Sequence, residues 1–101
     1  MLVIHTTASN KKEAKKLANI LIESHLVPCV QYFKIKSQYV WRKRVHKQSE
    51  YLLIFKALKE HYEEIRQLIY ANHSYKIPEI VSFEAKAAPT YKQWLVDNTK
   101  G

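Results

Sequence analysis

The residues best equipped for chemistry are a single cysteine, Cys29, and five histidines, His5, His25, His46, His61 and His73. Thiolate and imidazole suit copper and zinc. No two of these residues stand at a local ligand spacing: Cys29 lacks a Cys-x-x-Cys companion, and no histidine pair follows the His-x-x-x-His pattern of one helix face. A metal site must therefore be assembled by the fold, within one chain or between chains. A cysteine at a strand start also serves as a small buried hydrophobe. As a nucleophile Cys29 would need a positioned base such as His73, which the local sequence does not supply. The only glycine is Gly101, which excludes Gly-rich phosphate loops and dinucleotide fingerprints. Glu60, Glu63 and Glu64 share the outward face of a predicted helix, where solvation is the ordinary role of carboxylates. The pattern predicts a binding or structural protein, not an enzyme.

A second constellation combines Arg42, Lys43, Arg44, His46 and Lys47 with the aromatics Tyr39 and Trp41. Basic side chains neutralise phosphates and aromatics stack on bases, so a nucleic-acid-binding module is the alternative reading. It ranks second, because the aromatic-rich signature of the RNA-recognition fold is absent from Tyr51-Leu52-Leu53-Ile54-Phe55. Tyr39 and Trp41 equally suit the buried centre of a protein interface. Glu50 and Lys56 lie six positions apart on one predicted strand, hence on one face, and are candidates to line a polar pocket.

These residues are positioned by a predicted β-α-β-β-α-β-α order. Leu2 to Thr7 is a β-prone run, and Ser9 or Asn10 offers an N-cap. Ala14, Leu17, Ala18, Leu21 and Ile22 form one buried helical stripe, which Pro28 is expected to stop by Leu26 or Val27. A long strand runs from Cys29 to Trp41, with Phe33, Ile35, Tyr39 and Trp41 on one parity. The polar stretch Arg42 to Gln48 is the expected hairpin tip, without the Asn-Gly or Asp-Gly of a tight primed turn. Tyr51 to Phe55 is continuously apolar, as in a strand covered on both faces. Leu58, Tyr62, Ile65, Leu68 and Ile69 return to helical spacing, and Glu79 to Glu84 is a fourth strand after Pro78. Thr90 and Gln93 fit a capping box opening a last helix, with Tyr91, Trp94 and Leu95 inward. This is the α+β, ferredoxin-like split βαβ order, with two helices on one sheet face and the other face bare. The second and third strands form a long hairpin that exceeds what such a sheet needs, and a bare apolar face calls for a partner.

The length, 101 residues, suits one domain over 1–101 whose core profits from burial in an oligomer. Hydrophobic residues are interspersed with charges and form no membrane-length run. Seventeen Lys and Arg against nine Asp and Glu leave a net charge of +8, which permits polyanion binding without requiring it. Lys11, Lys12, Lys15 and Lys16 fall on a solvent-facing helix flank. A lone cysteine needs no oxidising compartment, and the first residues lack the pattern of a signal peptide, so a cytoplasmic location is expected.

In order and spacing, a set of landmarks over nearly the whole chain resembles the CutA family of divalent-cation tolerance proteins, relatives in fold of the PII signalling proteins. The landmarks are Thr6-Thr7, Leu26-Val27-Pro28-Cys29-Val30, Tyr39-Val40-Trp41, Glu50 through Lys56, His73 through Ile80, and Tyr91-Lys92-Gln93-Trp94-Leu95. The chain departs from the family at Lys43, where glycine is usual, and at Ser74 and Lys76, which replace a proline and an acid. The resemblance implies a homotrimer with pockets between subunits, lined or packed by Tyr39, Trp41, Glu50, Lys56 and Tyr75. It also implies weak binding of copper or another divalent cation through Cys29 and His73, with no required cofactor and no membrane partner. Lys76 would weaken a cation site near His73.

Overall fold

A computed structural model describes residues 1–100. Gly101, the end of the predicted domain, lies outside the described residues. Strand β1 (Leu2–Ala8) leads to helix α1 (Lys11–Glu23), then strands β2 (Cys29–Trp41) and β3 (Arg44–Ala57). A 3-10 turn (Lys59–His61), helix α2 (Tyr62–Asn72), strand β4 (Ile80–Glu84) and helix α3 (Pro89–Asp97) follow. The four strands are ordered β2-β3-β1-β4 and every neighbouring pair is antiparallel. This is the predicted split βαβ arrangement.

Period-two alternation sorts the sheet residues. Leu2, Ile4 and Ala8 of β1 join Leu53, Phe55 and Ala57 of β3 against Leu17 and Leu21 of α1 and Ile65 and Ile69 of α2. Each fully buried aliphatic or aromatic side chain in this layer contributes about 2 kcal/mol of transfer free energy. On the opposite face Leu52 and Ile54 are only half-buried. The expectation that β3 is covered on both faces is therefore corrected for the single chain.

Only the second half of β3, from Tyr51 to Ala57, pairs with β1. The first half pairs with β2 alone, so Ile35–Trp41 and Arg44–Glu50 project as a two-stranded arm that lengthens the molecule to 44 Å against 24 and 21 Å across. The arm ends in a two-residue turn, with Trp41 opposite Arg44 and positive φ at both Arg42 (52°) and Lys43 (63°). That is the primed hairpin turn, made without glycine, and it corrects the broad polar tip expected over Arg42 to Gln48.

Helix α1 starts at Asn10, whose side chain accepts from the Glu13 N–H at 2.8 Å. It stops at Glu23, short of the expected Leu26 or Val27. The terminator is local and not Pro28: the Ser24 hydroxyl donates back to the Leu21 carbonyl, and His25 turns into the left-handed region (φ 62°). Helix α3 begins at Pro89 with no side-chain cap, so the Thr90/Gln93 capping box does not form; Gln93 instead donates to Asp97. Leu95 is buried as expected, while Trp94 stays 43% exposed.

Candidate functional site

A groove of about 690 Å³ runs along the base and flank of the arm. Its floor is the helix-free face of the hairpin, and its wall is the loop between α2 and β4. Glu50, Tyr39, Trp41 and Tyr75, all anticipated from sequence, line it together with Lys36, Ser37, Gln38 and Lys76.

Glu50 is the deepest polar group, 6% exposed. Its Oε2 accepts from the Tyr75 hydroxyl at 2.7 Å, and the Gln48 side-chain amide donates to that hydroxyl at 3.3 Å. Burial, reinforced by the Glu50 carboxylate, pushes the Tyr75 phenol well above its ordinary range. Tyr75 is thus held as a neutral donor.

The loop carrying Tyr75 is fastened by His73, whose ring is fully buried. Its Nε2 sits 2.6 Å from the Thr7 carbonyl, which only an N–H satisfies, and its Nδ1 accepts from the Tyr75 backbone N–H at 3.0 Å. Glu13 reinforces the fastening: Oε2 accepts from the Ser74 N–H at 2.8 Å and Oε1 from the Ser9 N–H at 3.0 Å. Burial raises the Glu13 pKa, but the Ser74 and Ser9 hydrogen bonds and the nearby His73 outweigh it and hold the carboxyl below its usual range. Glu13 was missed in the sequence reading, although Asn10 and Glu13 stand at capping-box spacing.

Other anticipated residues lie elsewhere. Lys56 is six positions along β3 from Glu50, about 20 Å, and donates to the Gln31 side chain. The shared face is as expected; the shared pocket is not. Cys29 is half-buried and pairs in register with Lys56, whereas His73 is anchored at Thr7, which pairs with Leu52. The four-residue offset on β3 is about 13 Å along the strand, and both His73 nitrogens are engaged. A single chain therefore does not bring Cys29 and His73 to a common metal ion. Among the described residues no group of three or more His, Cys, Asp and Glu side chains is arranged to hold one. Cys29 has a different neighbour, Tyr91, whose phenol is pushed up by burial and by a hydrogen bond to the thiol.

The hairpin aromatics are partly occupied by their own chain. The Arg42 guanidinium lies 5.8 Å from the centre of the Trp41 ring, and Tyr39 stacks on His46 at 5.5 Å. One stacking face of each ring is thus taken by a neighbour. Both rings nonetheless stay about 40% exposed, Tyr39 at 39% and Trp41 at 40%, and Phe33 on the same face is 51% exposed. On the same sheet face Val81 and Phe83 of β4 are also exposed.

Residues 2–98 match the family model of the CutA1 divalent ion tolerance protein. The chain belongs to that family. Protein CutA, chloroplastic, of Arabidopsis thaliana is 33% identical over 98% of this chain, and the divalent-cation tolerance protein CutA of Thermotoga maritima is 32% identical over 94% of this chain and 95% of its own. The chain spans only 56% of the Arabidopsis protein and 57% of its rice counterpart. Among solved structures, CutA from Archaeoglobus fulgidus superposes with a TM-score of 0.95 at 29% identity, covering 99% of this chain and all of the other. CutA1 from Oryza sativa gives 0.93 at 32% identity, over 98% and 93%. These CutA relatives overturn the expectation of a cytoplasmic location: two are named chloroplastic, and the Archaeoglobus protein is described as periplasmic. A lone cysteine and the absence of a signal pattern carried that expectation, and neither feature is specific to one compartment.

Proposed function

We propose that the chain serves divalent-cation tolerance as a non-catalytic homotrimer whose subunits close the arm grooves around a small ligand. The observation that carries this is the exposure of Phe33, Val81 and Phe83 on the sheet face that also bears the groove residues Tyr39, Trp41 and Glu50. Exposed apolar surface of that kind is stabilised by a partner, and the arm, where Val40 and Val45 are also exposed, pairs with nothing else in its own chain. A symmetric assembly places a neighbouring subunit against each groove, turning an open trough into a pocket. Names of the relatives support the tolerance role, being divalent-cation tolerance proteins.

Within this reading His73 positions Tyr75, and Cys29 is the thiol available to copper. Sedimentation equilibrium should give three times the 12.0 kDa chain mass. A monomer at micromolar concentration overturns the proposal. Equilibrium dialysis against copper in thiol-free buffer tests the metal component: Cys29→Ser should abolish whatever uptake the wild type shows, and unchanged uptake removes Cys29 from the site.

A further inference from the structure

The cations of the arm have no role in the pocket, and the fold arranges them in a definite pattern. From Ser24 to Ser49 the chain holds no Asp or Glu, while Lys34, Lys36, Arg42, Lys43, Arg44 and Lys47 are all exposed. Among the described residues none of these cations is in an ion pair, whereas Lys59, Arg66 and Lys100 are held by Glu84, Glu63 and Glu64. Strand alternation then sorts the row. Val30 of β2 and Leu53 of β3 pack against the core under the helices, so Lys34, Lys36 and Lys47, which share their parities, lie on the helix side of the sheet; Tyr39, Trp41 and Arg44 lie on the other. Lys36 faces Ser49 and Gln38 faces Lys47, which makes Lys36 and Lys47 diagonal neighbours. Arg42 and Lys43 form the turn beyond them. The acids beside the arm do not answer this charge: Glu13 accepts from the Ser9 and Ser74 N–H groups, Glu50 is buried against Tyr75, and Glu79 lines the groove. Like charges at neighbouring sheet positions cost the folded state, so stability of the fold does not explain the row, and a partner that brings negative charge does.

We propose that the helix-side face of the arm docks on the phosphate backbone of duplex DNA, with Lys34, Lys36 and Lys47 lying along it and Arg42 and Lys43 meeting it at the tip. Cations that neutralise phosphates release the counterions condensed on the duplex, a favourable contribution that needs no base sequence. Successive same-face positions of an antiparallel strand are about 6.8 Å apart, twice the ~3.4 Å axial spacing of phosphates along one strand of B-form DNA. A single strand fits less well, because the aromatics that would stack on its bases, Tyr39 and Trp41, lie on the opposite face and are partly covered by His46 and Arg42. A lipid surface fits less well too, because the charged turn at Arg42 and Lys43 lies beyond the exposed pair Val40 and Val45 and would have to enter first. The proposed trimer uses the aromatic face, so the two readings occupy different faces and stand or fall separately.

Fluorescence anisotropy of a short labelled DNA duplex, followed across a salt series, tests this, with sedimentation and circular dichroism on the same samples to check assembly and folding. If each of the five cations neutralises one phosphate, log affinity should fall against log salt with a slope of about −4.5, roughly a 500-fold loss between about 50 and 200 mM salt. Lys34→Gln combined with Lys36→Gln should make that slope shallower by about 1.8. Lys86→Gln combined with Lys92→Gln removes the same charge from exposed lysines in the segment after β4 and should leave the slope at its wild-type value. Equal changes in the two double variants would show a response to net charge alone and overturn the site. Tighter binding of the single strand, or of the same duplex made of RNA, overturns the choice of partner, and no binding at about 50 mM salt overturns the inference outright. A monomer with the expected slope and variant pattern upholds this surface and overturns the trimer; a trimer without them does the reverse.

Discussion

The Tyr75 hydroxyl donates to Glu50 Oε2 at 2.7 Å, tying the loop after α2 to the third strand 25 residues earlier in the chain. Burial first, and this bond with it, keep the phenol protonated. Tyr75 should ionise later than an ordinary tyrosine, whose value is 10.0, with Tyr91 also delayed. In an absorbance titration of the seven tyrosines, Tyr75→Phe should remove a late-ionising phenol and leave the early ones in place. The sign for stability follows: below pH 10 the phenol is neutral in both states, and as pH rises beyond 10 the unfolded chain ionises first, so stability falls. A Tyr75→Phe protein that loses stability in alkali as steeply as wild type contradicts this.

Glu13 carries the opposite dependence. Its folded pKa lies below the ordinary 4.5, so its contribution is complete above 4.5 and is lost as pH falls through the folded value. Glu13→Gln should therefore destabilise the protein at neutral pH and shrink the difference from wild type in acid. Chemical denaturation at several pH values measures it. A constant difference across the acid range would show that shape, not charge, is what Glu13 supplies.

Lys43 occupies a left-handed conformation at φ 63°, which costs a side-chain-bearing residue roughly 1 kcal/mol relative to glycine. Lys43→Gly should raise stability by about 1 kcal/mol, read as a shift in denaturation midpoint without a change in slope. A loss of stability would place the turn in another geometry.

In the proposed assembly Phe33 and Trp41 are the expected anchors. Phe33→Glu should shift the sedimentation profile toward lower mass while circular dichroism stays unchanged, because Phe33 contributes to no buried core. Trp41→Ala should weaken association by about 2 kcal/mol, as truncation of interface aromatics does. Unaltered mass and affinity in both variants would move the interface off this face.

Local pattern was enough for the element order and for the limits of β2, Cys29 to Trp41, since period-two and helical spacing are written directly in residue types. The sequence by itself also marked Tyr39, Trp41 and Glu50, the family resemblance added Tyr75, and the tertiary structure places all four on one groove. What it could not determine were relations set by register and loop closure. Lys56 shares a strand face with Glu50, but only the pairing with β1 shows that it lies at the far end of the sheet. Cys29 and His73 are 44 positions apart in sequence, and nothing local says that β1 anchors one while β3 holds the other in register well away. The tight turn at Arg42-Lys43 had no sequence signal, because the strain at two non-glycine residues is outweighed by the long ladder on either side. Alternation and amphipathic spacing are properties of neighbouring residues and survive in any correct fold. Which polar groups meet depends on distant segments closing against each other, and that is decided only when the chain is packed.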